Sequence, residues 1–455
     1  MEKSATLKLS GWGRYPVEES IVYRPERRAA IAEILGVGPE SDYIARGLGR
    51  SYGDTALNKH GGVIDLSRLN RMIAFDAEEG VLECEAGTSL AEIIDTFLPR
   101  GYFLPVTPGT KFVTVGGAIA NDVHGKNHHR DGAFGNFVVD FTLLTASGEV
   151  LPCSPTQNAD VFHATIGGIG LTGLILTARI RLRRVETAYI RVDYRRAPNI
   201  EAALAAMAES DAQYQYSVAW IDCLAKGAHL GRSVLMWGNH ARLTGLAGAP
   251  ALAASPLRPK QVHPKSVPVD FPGFVLNPWS IRAFNTVFYA VHRDTVGALV
   301  DYDRYFYPLD RIHHWNRMYG RAGFCQFQAT LPKSSVATLV ELLERLSRSS
   351  CASFLAVLKC FGDEGPGYLS HPMPGYTLAF DIPNRHELIG FLDELHVLVL
   401  NGGGRIYLGK DAAAKANMIP EMYPRLDGFR EVCRRLDPYG RLSSSMARRL
   451  ALVHD

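Results

Sequence analysis

Glycine is concentrated in three short loops within one part of this 455-residue chain. Residues 46–175 hold 19 of the 43 glycines in less than a third of the length. Most of these glycines fall at residues 47–53, 109–125 and 167–173. Glycine lets a backbone adopt positive φ and approach a ligand closely, because it has no side chain. The pattern therefore predicts a region built around a large, extended, phosphate-bearing ligand.

The first loop, residues 46–54, reads Arg-Gly-Leu-Gly-Arg-Ser-Tyr-Gly-Asp and follows a short predicted strand. Gly47 and Gly49 allow backbone N–H groups to converge into an anion cradle. The two arginines and the serine add further donors, and a diphosphate suits such a cradle. An ordinary tight turn is the alternative, but this density of Gly, Arg and Ser favours phosphate binding.

The second loop contains two segments, Thr-Pro-Gly-Thr at residues 107–110 and a Gly-rich run at residues 114–126. Thr114 can cap a short helix in which Gly116 and Gly117 permit close approach of a planar or phosphate-bearing group. Tight packing of a helix on a sheet is the alternative, because such packing also requires Gly.

The third loop contains a literal Gly-x-Gly-x-x-Gly at residues 168–173. A dinucleotide fingerprint needs a strand before this motif and a helix after it. Here a predicted helix, residues 159–166, precedes the motif and a predicted strand, residues 174–182, follows it. Because this order is inverted, the sequence argues against NAD binding at this loop.

The predicted elements divide the chain into three parts. Strands and helices alternate through residues 11–187, whereas residues 188–400 repeat a strand–helix–strand order that predicts an α+β domain with an antiparallel sheet and helices on one face. Residues 245–272, rich in Ala, Pro, Gly and Lys, are predicted as a mobile loop. Residues 401–455 form a C-terminal segment, predicted as helical from 424 to 450.

Composition excludes several classes of protein. The formal net charge is +3, which is too balanced for a protein that follows a nucleic-acid backbone. Seven cysteines without a C-x-x-C pair indicate neither a disulfide framework nor a zinc cluster, and favour a reducing compartment. The sequence contains no run of 18 apolar residues and no signal-peptide pattern at its start. We therefore expect a cytoplasmic protein or one peripheral at the membrane.

At these motifs the sequence resembles the FAD-binding, PCMH-type domain of the vanillyl-alcohol-oxidase superfamily. The motifs that carry this resemblance lie at residues 46–51, 108–110, 115–120 and 167–175. Within the superfamily, the sequence resembles the family of the oxidase subunit of decaprenylphosphoryl-β-D-ribose 2′-epimerase. The runs that carry this closer resemblance are at residues 45–54, 116–129, 134–136, 315–317, 422–425 and 446–450.

The resemblance implies an α+β, two-domain vanillyl-alcohol-oxidase-like fold. Residues 11–187 would bind FAD, residues 188–400 would bind substrate, and residues 401–455 would return to the flavin site. The implied cofactor-binding residues are Arg46, Gly47, Leu48, Gly49, Arg50, Ser51, Tyr52, Gly53, Asp54, Gly109, Thr114, Val115, Gly116, Gly117, Asn121, His124, Ile175 and Tyr407. Many superfamily members carry a flavin-linked His at the position of Arg50, so the resemblance implies noncovalent FAD.

The implied reaction is oxidation of the 2′-hydroxyl of a polyprenylphosphoryl-β-D-ribose to a 2′-keto sugar, the first half of epimerisation to the arabinose form. The residues implied in catalysis are Lys410, Tyr52 and His124, and those implied in substrate binding are Lys126, Gln326, Gln328, Lys359 and Lys410. An NADH-dependent reductase is the implied partner, and the lipid tail implies contact with a membrane.

Several alternatives stay open at the level of sequence. Thr377 and Ala379 stand where other family members carry Asn and Cys, so the substrate could instead be another sugar, a polyol or another glycosyl-lipid. A flavin-binding module without catalysis would keep the same glycine loops, and an NAD-dependent epimerase would bind NADH without flavin. We expect no metal at His124, His128, His129 and Asp131, because Gly125 interrupts the helix that would align His124 with His128.

Overall fold

The first sheet of the protein has four strands. The structure is a computed structural model that describes residues 4–38, 40, 42–259, 263–349 and 355–453. The order of the four strands is β1-β2-β4-β3, with an antiparallel β1–β2 pair and parallel pairing of β4 with β2 and β3. The strands are β1 (Ser4–Ser10), β2 (Val17–Tyr23), β3 (Tyr43–Arg46) and β4 (Gly62–Asp65). The first glycine loop begins where β3 ends.

The second sheet is antiparallel and has the order β5-β6-β10-β8-β9. Short strands β7 and β11 form a separate pair. The strands are β5 (Met72–Asp76), β6 (Val81–Glu85), β7 (Tyr102–Phe103), β8 (Val138–Leu144), β9 (Val150–Cys153), β10 (Leu174–Arg181) and β11 (Arg183–Arg184). The third glycine loop leads directly into β10.

Five helices accompany these two sheets. They are α1 (Arg28–Val37), α2 (Leu90–Phe97), α3 (Val115–Ala120), α4 (His128–Asp131) and α5 (Ala159–Thr165). Ser89 and Glu92 form a capping box that fixes the start of α2. The side chain of Thr114 accepts a hydrogen bond from the Gly117 amide at the start of α3, as the sequence predicts. Helix α5 precedes the Gly-x-Gly-x-x-Gly motif and β10 follows it, which confirms the inverted order.

The third sheet has eight strands in the order β16-β12-β14-β13-β19-β20-β18-β21. Every pairing within it is antiparallel, which confirms the predicted antiparallel sheet. A parallel pair, β15 with β17, lies outside it. The strands are β12 (Tyr189–Ala197), β13 (Tyr216–Ile221), β14 (Ser233–His240), β15 (Lys265–Ser266), β16 (Thr295–Asp301), β17 (Ile312–His313), β18 (Phe324–Leu331), β19 (Ala356–Phe361), β20 (Gly375–Pro383) and β21 (Arg405–Ile406).

Six further helices lie along this part of the chain. They are α6 (Ile200–Ser210), α7 (Pro250–Ala253), α8 (Pro278–Val291), α9 (Tyr302–Phe306), α10 (Val336–Arg348) and α11 (Leu388–Asn401). Phe327 on β18 stacks on Phe380 of β20 and on His396 of α11. Because side chains alternate along a strand, residues 326 and 328 point to the opposite face. One face of the sheet therefore packs on helices and the other faces the glycine loops.

The C-terminal segment contains three helices, α12 (Ile419–Met422), α13 (Leu426–Leu436) and α14 (Ser445–Arg449). The prediction of one helical segment from 424 to 450 is therefore wrong. Pro438 and Gly440 follow α13, and Gly440 adopts a φ of +65°, which is unfavourable for a right-handed helix. Residues 437–444 form a turn, and the chain then restarts as α14.

The segment around residues 245–296 differs most from the sequence-based expectation. Residues 245–272, predicted as a mobile loop, contain α7 and β15 within their described part, and their mobility stays a prediction. The sequence analysis missed α8, the longest element nearby, as well as β14 and β16. None of the helices in the described part of the chain has the length and apolar character needed to cross a membrane.

A buried ion-pair cluster ties the C-terminus to the first glycine loop. The guanidinium of Arg449 contacts both carboxylate oxygens of Asp54, at 2.7 and 2.9 Å, and lies 2.9 Å from Asp411. Both carboxylates are almost fully buried. Burial disfavours the charged form of Asp411, but Arg449, His396 and two backbone amides together hold its pKa below the ordinary value.

We expect Arg449→Met to lower the free energy of unfolding by roughly 3 kcal/mol, because it leaves two buried carboxylates without their shared cation. Urea denaturation followed by circular dichroism measures the change. The matched control is Arg435→Met, which removes an exposed ion pair with Asp160 and should cost less than about 1 kcal/mol. Equal effects of the two substitutions would contradict a structural role for the Arg449 cluster.

Candidate active site

A cavity of about 1090 Å³ lies between the three glycine loops and the inner face of the eight-stranded sheet. All three loops contribute to its wall, as do strands of the sheet, helix α8 and the short 3₁₀ turn Leu408–Lys410. The loops and the sheet belong to distant parts of the sequence. The cavity is therefore a product of the way these parts pack together.

The first loop is held in shape by its own arginines. The Arg46 guanidinium donates to the carbonyl groups of Ser10 and Ala56, and Arg50 donates to the Leu48 carbonyl. Burial lowers the pKa of Arg46 from its ordinary value. Gly49 adopts a φ of +65°, and a Cβ there would lie 2.4 Å from the Arg46 guanidinium. Arg46 therefore shapes the loop, and the loop backbone lines the cavity.

The second and third loops close against each other and against the first. A Cβ on Gly47 would lie 2.3 Å from the hydroxyl of Thr114, so the first two loops touch at that point. The amides of Gly167 and Ile169 donate to the carbonyls of Ile119 and Ala120 at the end of α3. Side-chain bulk at these contacts would separate the loops and distort the cavity wall.

The second loop leaves space and polar atoms facing the cavity. A Cβ on Gly109 would meet no atom within 4 Å, and one on Gly117 would meet only the Thr114 hydroxyl. The buried Asn121 Oδ1 and His124 Nδ1 form no hydrogen bond within the described residues. An open glycine cradle, unpartnered polar atoms and a cavity of about 1090 Å³ fit a large phosphate-bearing cofactor such as FAD.

The opposite wall is built from alternate residues of neighbouring strands. Gln326 on β18 is directly opposite Asp381 on β20, and its side-chain amide donates to that carboxylate at 2.5 Å. Thr377, which precedes Ala379 by two residues on β20, is opposite Lys359 on β19. The period of two along each strand therefore places the polar residues of this wall on one face.

Lys410 and Asp381 form a buried pair of opposite charge beside Tyr52. Burial lowers the pKa of Lys410, whereas the negative charge of Asp381 raises it. Burial raises the pKa of Asp381, and Gln326, Lys410 and Tyr319 oppose that shift. The Lys410 ammonium lies 5.5 Å from the centre of the Tyr52 ring. Burial and then the charge of Asp381 hold the pKa of Tyr52 well above its ordinary value, so its hydroxyl keeps its proton.

Two further lysines line the cavity. Burial lowers the pKa of Lys126 to about 7. Burial, and then the charges of Lys410 and Lys126, lower the pKa of Lys359 to about 7. Lys126 donates to the Tyr305 carbonyl and lies 4.2 Å from the centre of that ring. Three interacting lysines with one nearby carboxylate make this region suited to an anionic group such as a phosphate.

His124 is a neutral group inside an aromatic and polar network. Burial, followed by the charge of Lys359, holds its pKa well below the ordinary value. Its Nε2 accepts from the Gln328 side-chain amide at 2.8 Å, which places the ring proton on Nδ1. Its ring lies 4.9 Å from those of Tyr407 and Phe361. Because Nε2 already accepts a hydrogen bond, the geometry favours a role for His124 in orientation over proton removal.

The cavity brings together most of the residues singled out in the sequence, with three exceptions. Asp54 pairs with Arg449, Val115 is buried in the hydrophobic core, and Gln328, on the same face of β18 as Gln326, bonds to His124 and Thr377. Every other predicted cofactor or substrate residue lines the cavity. The structure places these three side chains in support of the wall.

Asp381 was not among the residues predicted from the sequence. Thr377 and Ala379 were singled out, and the alternation along their strand, β20, extends to residue 381. Within the described residues, no group of three or more His, Cys, Asp or Glu side chains is arranged to hold a metal ion. His124 lies outside α4, which begins at His128.

Comparisons with known proteins agree with this geometry. Residues 20–154 match the family model described as an FAD binding domain. The chain is 38% identical to decaprenylphosphoryl-beta-D-ribose oxidase of Mycolicibacterium smegmatis over 99% of this chain and 98% of that protein. It is 35% identical to an uncharacterized protein in the mprA 5′ region of Streptomyces coelicolor, over 80% of this chain and 99% of that protein. It is 30% identical to L-gulonolactone oxidase of Bos taurus over 38% of this chain and 40% of that protein.

We expect Gly109→Val to weaken FAD binding at least about tenfold, because its side chain would occupy space that the protein itself leaves open. Flavin absorbance per protein and titration of the apoprotein with FAD measure the loss. The matched control, Gly248→Val, also meets no atom within 4 Å but lies outside the cavity wall, and it should retain full occupancy. Normal FAD content in Gly109→Val protein would contradict a cofactor site at this loop.

Proposed function

Because the chain belongs to the family of decaprenylphosphoryl-beta-D-ribose oxidase, an FAD-dependent oxidoreductase family, we propose that it oxidises a polyprenylphosphoryl-β-D-ribose at the 2′-hydroxyl. The product is the 2′-keto sugar, and the reaction is the first half of epimerisation to the arabinose form. The observation that carries the proposal is Lys410, a buried lysine that lines the cavity beside the first glycine loop and interacts electrostatically with Asp381. This arrangement supports removal of a proton from a substrate held in the cavity.

The three glycine loops hold FAD in the proposed enzyme. The backbone of residues 47–53 would hold the pyrophosphate, and the residues of α3 and Ile175 would contact the rest of the cofactor. FAD, when bound, supplies the acceptor for the hydride that leaves the carbon of the alcohol. At residue 50 an arginine is directed to the Leu48 carbonyl, which supports noncovalent attachment. In this division of labour, residues 11–187 bind cofactor, residues 188–400 bind substrate, and residues 401–455 supply Lys410 and Tyr407.

Lys410 is the proposed proton acceptor. Burial lowers its pKa, so its Nζ can be neutral near physiological pH and can accept the proton of the 2′-hydroxyl. Once protonated, Nζ is stabilised by the carboxylate of Asp381. Tyr52 retains its proton and serves as a hydrogen-bond donor to the sugar. Gln326 orients Asp381 through the hydrogen bond between their side chains.

The remaining cavity wall suits the phosphate and the lipid. Lys126 and Lys359 are positioned to neutralise the phosphodiester, because both line the cavity and Lys359 interacts electrostatically with Lys410 and Lys126. Beyond them the wall becomes apolar, with Trp220, Met236 and Phe288 among its residues. This change from cationic to apolar lining matches a sugar phosphate joined to an isoprenoid chain.

The proposed reaction also implies partners. A 2′-keto sugar must be reduced on the opposite face to complete an epimerisation, and we propose that a separate NADH-dependent reductase performs this step. The polyprenyl chain stays dissolved in a bilayer, so the enzyme works peripherally at a membrane face.

We predict that the oxidised protein loses its flavin absorbance anaerobically with a short-chain polyprenylphosphoryl-β-D-ribose. The same experiment with free ribose, with ribitol and with the 2′-deoxy sugar phospholipid measures specificity. The 2′-deoxy compound should leave the flavin oxidised, because it lacks the hydroxyl that is to be oxidised. If ribitol or free ribose reduced the flavin faster than the lipid-linked ribose does, the substrate would be a polyol or a free sugar, and the proposed substrate would be wrong.

We predict that Lys410→Met slows flavin reduction at least about a hundredfold, the usual range for loss of a general base, and retains FAD. In the parent enzyme the reduction rate should rise with pH as Nζ loses its proton. Because Asp381 raises the pKa of Lys410, Asp381→Asn should shift this rise to lower pH. Rapid-mixing kinetics across pH measures both effects.

Lys415→Met is the matched control for Lys410→Met, because Lys415 is exposed and pairs with Asp393 at the surface. It should keep the parental rate and pH profile. An unshifted profile in the Asp381→Asn enzyme would contradict the coupling between the two groups.

A further inference from the structure

Helix α8 exposes an apolar face to the outside of the protein. Trp279, Val287 and Val291 are exposed to 78%, 60% and 65%, and they follow one stripe of the helix together with Ala283 and Ala290. Arg282 is the single charged residue between positions 271 and 292. A helix on the surface of a protein normally carries charged and polar residues on its outer face. The outer stripe of α8 does not.

The opposite face of α8 is firmly anchored. Ile281 and Asn285 are buried, and the side-chain amide of Asn285 donates to Asp222 at 2.7 Å. The ring of Phe288 lies 4.4 Å from that of Trp220 on β13. An Asn277 capping box fixes the start of the helix. The exposed apolar stripe therefore belongs to a well-packed helix.

The same helix forms part of the cavity wall. Ser280, Ile281, Phe284 and Phe288 line the cavity, whereas Trp279 and Val287 lie outside it. The lining from this region of the chain comes from Val275 onward. Helix α8 thus separates the apolar part of the substrate cavity from the outside.

Further exposed apolar side chains precede and follow the helix in the sequence. Phe274 before it and Val296 after it are exposed to 76% and 86%, and Val269 is exposed to 64%. We call the set Val269, Phe274, Trp279, Val287, Val291 and Val296 the α8 patch. Clustered exposure of this kind is typical of a surface that contacts a protein or a membrane.

We propose that the α8 patch docks on a bilayer containing anionic lipids and places the mouth of the substrate cavity at the membrane surface. The proposal rests on the proposed lipid-linked substrate and names the surface that receives it. Its support is continuity: a lipid that leaves the bilayer beside Trp279 meets Phe284 and Phe288, which line the cavity. Trp and Phe are the side chains that favour the interface between headgroups and acyl chains.

Charge around the patch complements an anionic surface. Arg282 stacks near the Trp279 ring, with 5.7 Å between the guanidinium carbon and the ring centre. Arg293 and Lys265 are also exposed. Of the acidic residues nearby, Asp270 pairs with Arg14, and Asp294 lies 3.8 Å from Arg196. Basic side chains beside an apolar surface add attraction to anionic headgroups.

Sedimentation of the FAD-loaded protein with vesicles of phosphatidylcholine and phosphatidylglycerol tests the proposal. We expect the protein to sediment with these vesicles and the double variant Trp279→Ser, Val287→Ser to bind at least about tenfold more weakly. Ile389→Ser, Val397→Ser is the matched control, because it removes two exposed apolar residues from α11 and should bind as the parent does. FAD content confirms that each variant is folded.

Anaerobic flavin reduction by a soluble, short-chain substrate analogue separates this proposal from the proposed function. The α8 double variant should react with the soluble analogue at the parental rate and lose activity only on substrate embedded in vesicles. If the parent protein reacted with no lipid-linked ribose but still bound vesicles, the proposed function would be wrong and the docking proposal would stand. Equal vesicle binding by the parent and the α8 variant overturns the docking proposal. So does a parent protein that is dimeric and does not bind vesicles, if the α8 variant is monomeric.

Discussion

The contact between the first glycine loop and the segment that carries Lys410 is the constraint on which the site depends. A Cβ on Gly53 would lie 1.9 Å from the Asp411 carbonyl oxygen, and the Tyr52 amide donates to the Gly409 carbonyl at 3.1 Å. These segments are more than 350 residues apart in the sequence. Because they touch through their backbones, the proposed cofactor loop and the proposed proton acceptor form one unit.

The Arg449 cluster extends this constraint to the end of the chain. Asp54 follows Gly53 and Asp411 follows Lys410, so one guanidinium holds the two segments from behind. A buried cation between two buried carboxylates is costly to break, because each remaining charge would lose its partner. Helix α14, which carries Arg449, therefore stabilises the cavity wall indirectly, by fixing the segments that contain Asp54 and Asp411.

Because side chains alternate along its strands, the eight-stranded sheet packs on helices with one face and lines the cavity with the other. Along β18, Phe327 packs on the helical side while Gln326 faces the cavity. The helical side supplies hydrophobic burial, and the cavity side supplies the buried polar and charged groups that shift pKa values. The rigidity of the sheet holds Asp381 against Lys410, and loops alone would position them less well.

The sequence predicted the parts of this account that depend on local pattern. Glycine spacing identified the three loops, and the family resemblance singled out Gln326, which lines the cavity. Contacts between distant segments could not be predicted from local sequence pattern. Nothing near Asp54 in the sequence indicates that its partner is Arg449, and Asp54 was expected to contact the cofactor. Asp381 was within reach, because it continues the alternation of Thr377 and Ala379. Helix α8 was missed because its apolar residues lie on both faces and give no clear helical period.

The central claim is that the alcohol at C2′ loses hydride inside the cavity while Lys410 accepts the hydroxyl proton. The most direct measurement is the anaerobic rate of flavin reduction with polyprenylphosphoryl-β-D-ribose carrying deuterium at C2′. The account predicts slower reduction than with the unlabelled substrate and a ketone at C2′ in the product. An unchanged rate with deuterium at C2′, together with slower reduction when C3′ carries the label, would contradict it.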